Sequence, residues 1–151
     1  MTEKLNIALI GCGGWGKNIA RNLHQIGTLA CIYDADQRLL QKLNQNFNLP
    51  TYSINDIFKN EKIQALVIAS SAKTHKDLAE EALLNDKDVL IEKPFCLSLS
   101  DATNLSKLAI KKNRVLMVGH LLNYHNAFIK MKDLIKEGKI GKIKNIRAHR
   151  L

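Results

Sequence analysis

Short apolar runs alternate along the chain with longer segments whose apolar residues recur at helical spacing, and this alternation sets the expected architecture. Residues 7–10 form the first run and stop at Gly11. Ile19, Leu23 and Ile26 then share one helical face, and Gly27 is placed to end that helix. A second run over 29–33 meets Asp34, and a helix follows over 37–47 with Asp36 as its cap. Residues 50–52 can form only a short strand, after which Ser53 caps a turn of helix around Ile57 and Phe58. The continuous apolar run 65–69 suits a strand buried on both faces. Thr74 and Asp77 resemble a capping box that opens a helix over 76–84, with His75 expected as an exposed first-turn side chain. A further buried strand, 89–91, a helix from about 100 with Ala102, Leu105, Leu108 and Ala109 inward, and a strand over 115–119 continue the pattern.

Strands alternating with helices in this way predict a doubly wound, parallel α/β sheet. The rhythm breaks near the end. Phe128, Met131, Leu134 and Ile135 mark an amphipathic helix ended by Gly138, and 141–151 reads as one last strand rich in basic residues. The expected organisation is therefore a first domain over 1–122, followed over 123–151 by a linking helix and the opening strand of a second, α+β domain.

Chemistry enters at the strand ends. Gly11, Gly13 and Gly16 follow the first strand at the spacing of a phosphate cradle, in which Gly11 permits the tight turn and Gly13 exposes bare backbone to a pyrophosphate. Gly16 would let the helix pack close to the strand. Asp34 lies 23 positions after Gly11, close to the spacing at which an acidic residue closes the second strand and accepts hydrogen bonds from the adenosine ribose. A carboxylate there repels a 2′-phosphate and favours NAD over NADP, although Arg38 nearby could accommodate that phosphate. Pro94 keeps Lys93 extended, so the lysine is held at a strand tip where an open parallel sheet binds its ligands. His120 stands at a strand's carboxyl end as well.

Composition narrows the classes. With 46% hydrophobic and 25% charged residues over 151 positions, the chain has a globular balance and length for one ordinary domain. No apolar run approaches the roughly 20 residues of a spanning helix, and the first residues lack the layout of a secretory signal. A cytoplasmic location is the resulting expectation. Cys12, Cys31 and Cys96 form no Cys-x-x-Cys pair, which points to reduced thiols rather than disulfides or a metal site. Of the net charge of +9, +6 lies in residues 130–150, where eight basic residues face two acidic ones. That segment has no interleaved aromatic residues for base stacking, so a solvated lysine-rich face is preferred to a nucleic-acid site.

With Gly11, Gly13, Gly14, Trp15 and Gly16 leading into Lys17-Asn18, then Asp34, Thr74-His75, Glu92-Lys93-Pro94 and Val118-Gly119-His120 in this order, the chain resembles the Gfo/Idh/MocA family of NAD(P)-dependent oxidoreductases. Glu92-Lys93-Pro94, after the fifth expected strand, is the most specific mark. The resemblance spans essentially the whole chain and is strongest to the bacterial branch acting on sugars, including nucleotide-sugar 3-dehydrogenases.

It implies a Rossmann domain with only the start of the family's second domain, so that the chain reads as a truncated member. It also implies NAD as cofactor and hydride transfer between the nicotinamide and a secondary hydroxyl of a sugar or nucleotide sugar. The alternative is a non-catalytic NAD-binding module or an inactive remnant. By the same resemblance, Gly11, Gly13, Gly14, Trp15, Gly16 and Asp34 bind the cofactor, with Ser70, Thr74 and His75 near the nicotinamide and Glu92 positioning the cofactor or Lys93. Lys93 touches the reacting hydroxyl, His120 is a catalytic candidate, and Tyr124 and His125 line the substrate cleft. Ser70-Ser71 stand where relatives have Thr-Pro, and Asn126 stands where they have Pro. Homo-oligomers are implied only where the second domain is present.

Overall fold

A computed structural model describes residues 4–149. The chain divides into two compact units, one ending at Gly119 and the next beginning at His120, a few residues before the expected boundary.

The first unit is built on five parallel strands: β1 (Ile7–Ile10), β2 (Leu29–Tyr33), β3 (Ala65–Ile68), β4 (Asp88–Ile91) and β5 (Leu116–Val118), in the order β2-β1-β3-β4-β5. Five helices connect them: α1 (Gly14–Gln25), α2 (Gln37–Asn44), α3 (Ile54–Lys59), α4 (Ala72–Leu84) and α5 (Leu99–Lys112). Side chains alternate across the central strands, so each strand feeds two cores. Ala8, Ile10, Leu66, Ile68, Val89 and Ile91 join α3, α4 and α5 on one face. Leu9 and Val67 join α1 and α2 through Ala20, Leu40 and Leu43 on the other. Helices on both faces explain why the strands are apolar at nearly every position rather than at alternate ones.

One irregularity interrupts the β1–β2 ladder. Ile7 pairs with Leu29 but Ala8 pairs with Cys31, so Ala30 is an extra residue on β2. The bulge puts Leu29 and Ile32 into one core and Cys31 into the other.

Several expected boundaries shift. Residues 50–52 form no strand: Pro50 has no amide to donate, all three residues are exposed, and Asn48 has already turned the backbone to a φ of 49°. Glu92 therefore follows the fourth strand, not a fifth. The helix expected over 37–47 ends at Asn44, and β5 is shorter than 115–119. Helix α4 opens at Ala72 with Ser71 at its N-cap, which places Thr74 inside the helix; its hydroxyl donates to the Ser71 carbonyl instead of capping. Ser98 caps α5 by accepting from the Asp101 amide at 3.1 Å.

In the second unit a 3-10 turn, Leu121–Tyr124, leads to α6, Asn126–Lys136. His125 caps α6 through Nδ1, which accepts from the Ala127 amide at 3.3 Å. The apolar stripe of α6 is only half-buried at Leu134 and Ile135 and exposed at Phe128 and Met131. The strand expected over 141–151 is absent over 141–149, and its last two residues lie outside the described ones. A strand exists only as part of a ladder, and this unit offers no second strand among the described residues.

Cys12 and Cys31 are fully buried and Cys96 is partly buried. Burial pushes the Cys12 and Cys31 thiols up to about 12, with the nearby Asp34 carboxylate adding to the effect at Cys12. The reactive species is the thiolate, which these two thiols do not form until pH approaches 12. Alkylation of the native protein at pH 8, followed by mass spectrometry, is expected to modify Cys96 first and to leave Cys12 and Cys31 protected until denaturant is added.

Candidate functional site

The turn after β1 is shaped by backbone contact. Gly11 has a φ of +107°, and a Cβ added there would lie 2.5 Å from the Ala69 carbonyl carbon and 2.6 Å from the Ser70 nitrogen. Only glycine fits, because the turn lies against the chain leaving β3. Its amide donates to the Tyr33 carbonyl at 2.8 Å. A Cβ on Gly16 would collide with the Gly11 carbonyl oxygen, so α1 starts directly over the turn. Gly13 and Gly14 differ: a Cβ at either would meet nothing within 4 Å. Gly13 is the N-cap of α1, makes no side-chain cap bond, and no acidic residue occupies the first turn. The free amides and the positive end of the helix dipole thus face an open approach, which suits a pyrophosphate.

Asp34 leaves β2 beside this turn. Its Oδ2 accepts from the Cys12 amide at 2.7 Å and its Oδ1 from the Asp36 amide at 2.8 Å. Each carboxylate oxygen keeps a further lone pair for a ligand hydroxyl. Helix α2 is capped by Asp36, which accepts from the Arg38 amide at 2.9 Å, so Asp34 is not spent on that cap. The Arg38 side chain is 96% exposed and sits 3.9 Å from the Asp36 carboxylate.

At the end of β4, Glu92 is nearly buried. Its Oε1 accepts from the Trp15 indole Nε1–H at 2.7 Å, and its Oε2 accepts from the Lys93 amide at 3.3 Å. A Cβ on Gly119 would lie 2.8 Å from Oε1, so the glycine after β5 makes room for the carboxylate. Lys93 is exposed, and the Lys93–Pro94 peptide is cis.

His75 departs most from the sequence expectation. It is 1% exposed, with Nδ1 at 2.8 Å from the Pro94 carbonyl and Nε2 at 3.2 Å from the Ser70 carbonyl. The ring therefore ties the loop after β4 to α4 and lies close to the loop after β3. Its burial was signalled by spacing: His75, Ala79 and Leu83 share one helical face. The Ser70 hydroxyl lies 2.8 Å from that of Thr74 and closes the start of α4.

The first unit thus brings Gly11, Gly13, Gly14, Trp15, Gly16, Asp34, Ser70, Thr74, His75, Glu92 and Lys93 to the carboxyl ends of its strands. His120, Tyr124 and His125 belong to the second unit, where Tyr124 is 64% exposed and His125 holds the start of α6. Among the described residues no cluster of His, Cys, Asp and Glu could hold a metal ion, and no helix is long and apolar enough to cross a membrane. The order β2-β1-β3 makes β1 the point from which the sheet winds in both directions, the place where such sheets bind dinucleotides.

A parallel sheet with an open glycine turn and a carboxylate at the end of β2 defines a dinucleotide-binding domain. Residues 5–120 match the Gfo/Idh/MocA family model, described as an oxidoreductase family with an NAD-binding Rossmann fold, and the chain belongs to this family. It is 29% identical over 153 residues to the 2,7-anhydro-N-acetylneuraminate hydratase of Escherichia coli strain K12, covering 97% of this chain and 40% of that protein. The structure of GenD2 from gentamicin A biosynthesis in complex with NAD superposes with a TM-score of 0.85 at 27% identity, over 92% of this chain and 41% of the other. The UDP-N-acetylglucosamine 3-dehydrogenase GnnA from Acidithiobacillus ferrooxidans gives a TM-score of 0.81 at 25% identity, over 87% and 43%. The chain thus spans less than half the length of these proteins, and NAD is the cofactor of its domain.

The glycines separate fold from ligand. Gly11→Ala is expected to cost about 2–4 kcal/mol of stability in a urea melt, through the clash and the positive φ. Gly13→Ala is expected to melt close to the parent chain yet bind NADH roughly tenfold more weakly in a fluorescence titration.

Proposed function

We propose that this chain is the cofactor-binding part of an NAD-dependent oxidoreductase that transfers hydride between the nicotinamide and a secondary hydroxyl of a sugar or nucleotide sugar. The observation carrying this reading is the assembly of the open glycine turn, Asp34 and Glu92-Lys93-Pro94 at the carboxyl ends of one parallel sheet. Bound NAD supplies the hydride acceptor. Asp34 accepts from the adenosine ribose while the amides at the start of α1 hold the pyrophosphate. Lys93, at the tip of β4, donates to the substrate hydroxyl and stabilises negative charge developing on its oxygen.

By the family resemblance, His120 is the candidate for proton transfer and Tyr124 and His125 are the candidates for sugar contacts. In this reading the cofactor domain runs over 1–122, and 123–151 opens the substrate domain. The substrate class is supported by GnnA, whose name gives a nucleotide sugar, and by GenD2, which comes from gentamicin A biosynthesis.

A second reading is NAD binding without turnover. It is favoured by the second unit, whose helix stripe is largely exposed and whose residues 141–149 form no strand.

Titration of the purified chain with NADH, followed by quenching of its single tryptophan, is expected to saturate, and to do so at lower concentration than with NADPH. No response at millimolar NADH overturns both readings. With UDP-N-acetylglucosamine and NAD, NADH formation at 340 nm supports the oxidoreductase. Lys93→Met is then expected to lower kcat roughly 100-fold with NADH affinity little changed. Binding without NADH formation from any sugar or nucleotide sugar favours the second reading.

A further inference from the structure

Trp15 is the second residue of α1 and is 46% exposed, so core packing does not account for its position. An indole has one hydrogen-bond donor, and Trp15 commits it to Glu92 Oε1, 77 residues away in sequence, at 2.7 Å. A donor to an ionised carboxylate at this distance is among the stronger hydrogen bonds of a protein surface. The acceptor is nearly buried and held at both oxygens. Glu92 is 9% exposed, its other oxygen takes the Lys93 amide, and the missing Cβ of Gly119 leaves room for the carboxylate beside the end of β5.

The direction of the cofactor gives this bond a meaning. Asp34 places the adenosine ribose over the β2 side of the sheet, and the pyrophosphate belongs at the start of α1. The remaining half of a dinucleotide then extends to the other side of β1, toward β3 and β4. The Trp15–Glu92 bond spans from the start of α1 to the tip of β4, from the phosphate cradle to the nicotinamide side.

We propose that Trp15 is a positioning residue: its indole N–H fixes the Glu92 carboxylate, and through it the Lys93 backbone, so that the tip of β4 is preset for the nicotinamide half of the cofactor. The proposal rests on the cofactor reading given above. Removing the donor leaves a nearly buried carboxylate oxygen without its partner, and the carboxylate can recover hydration only by moving, which carries the Lys93 amide with it.

Two measurements test this. The chain has one tryptophan, so its ¹H–¹⁵N spectrum contains a single indole signal. That signal is expected far downfield and protected from solvent exchange, to move upfield in Glu92→Gln and to lose its protection in Glu92→Leu. An indole signal unchanged in both variants overturns the proposal.

The second measurement compares NADH with ADP-ribose, which has the same adenosine and pyrophosphate but no nicotinamide. Trp15→Phe is expected to weaken NADH about tenfold, the scale of one charge-assisted hydrogen bond, and to leave ADP-ribose within about twofold. In the Glu92→Leu background Trp15→Phe is expected to add no further loss; the same comparison in Glu92→Met, which also lacks an oxygen acceptor, serves if the leucine variant does not fold. Equal weakening of both ligands places the effect at the glycine turn, and additive losses place it in direct contact between indole and ligand; either result overturns the proposal. If the parent chain binds neither ligand, the cofactor reading fails and the positioning role fails with it, whereas binding of both ligands with an unresponsive indole defeats the positioning role alone.

Discussion

The turn after β1 lies so close to the chain leaving β3 that no side chain fits between them. Gly11 is therefore a condition of the sheet as much as of any ligand: a Cβ would enter the Ala69–Ser70 peptide. This contact fixes the start of α1, since Gly16 must slide over the Gly11 carbonyl, and α1 in turn presents its unpaired amides at one place. The glycine pattern thus contains two kinds of position. Gly11 and Gly16 answer to protein backbone, while Gly13 and Gly14 face open space.

Around that turn the loops are locked by side chains that each bridge two strands. Asp34 joins the end of β2 to the turn after β1. His75 lies between the loops after β3 and β4, and Glu92 joins the tip of β4 to the start of α1. All three are polar, His75 and Glu92 are buried and Asp34 is half-buried, and each has hydrogen-bond partners within the fold, which is the condition for burying such groups without large cost. Rigidity at this end of the sheet therefore comes from a small set of side chains rather than from apolar packing, and the lysine proposed to meet the substrate hydroxyl is mounted on one of them. That arrangement keeps a charged group exposed while fixing the backbone beneath it.

Much of this was legible in the sequence because the signals are local. The apolar runs around Leu9, Leu66 and Leu90 define strands by their length, and Gly11 and Gly16 define a turn by their spacing. Asp36 and Ser53 were readable as caps from their positions alone. What was not legible depends on partners distant in sequence. The 50–52 segment has strand-like residues but no neighbour to pair with, and the same is true of 141–149. Thr74 with Asp77 imitates a helix start and so puts His75 in an exposed first turn; with Ser71 as cap His75 lies a turn further into the helix, on the buried face it shares with Ala79. The contact between Trp15 and Glu92 has no sequence signature, since it joins two motifs through a fold that neither encodes alone.

Asp34 carries a consequence for how this cofactor site can change over evolutionary time. The carboxylate proposed to select the cofactor also accepts from the Cys12 and Asp36 amides, so it staples the glycine turn to the second strand. A replacement that tolerated a phosphorylated ribose would therefore also have to offer those amides an acceptor. Cofactor preference in this lineage is thus tied to the anchoring of the turn, and the side chains open to position 34 are those that serve both.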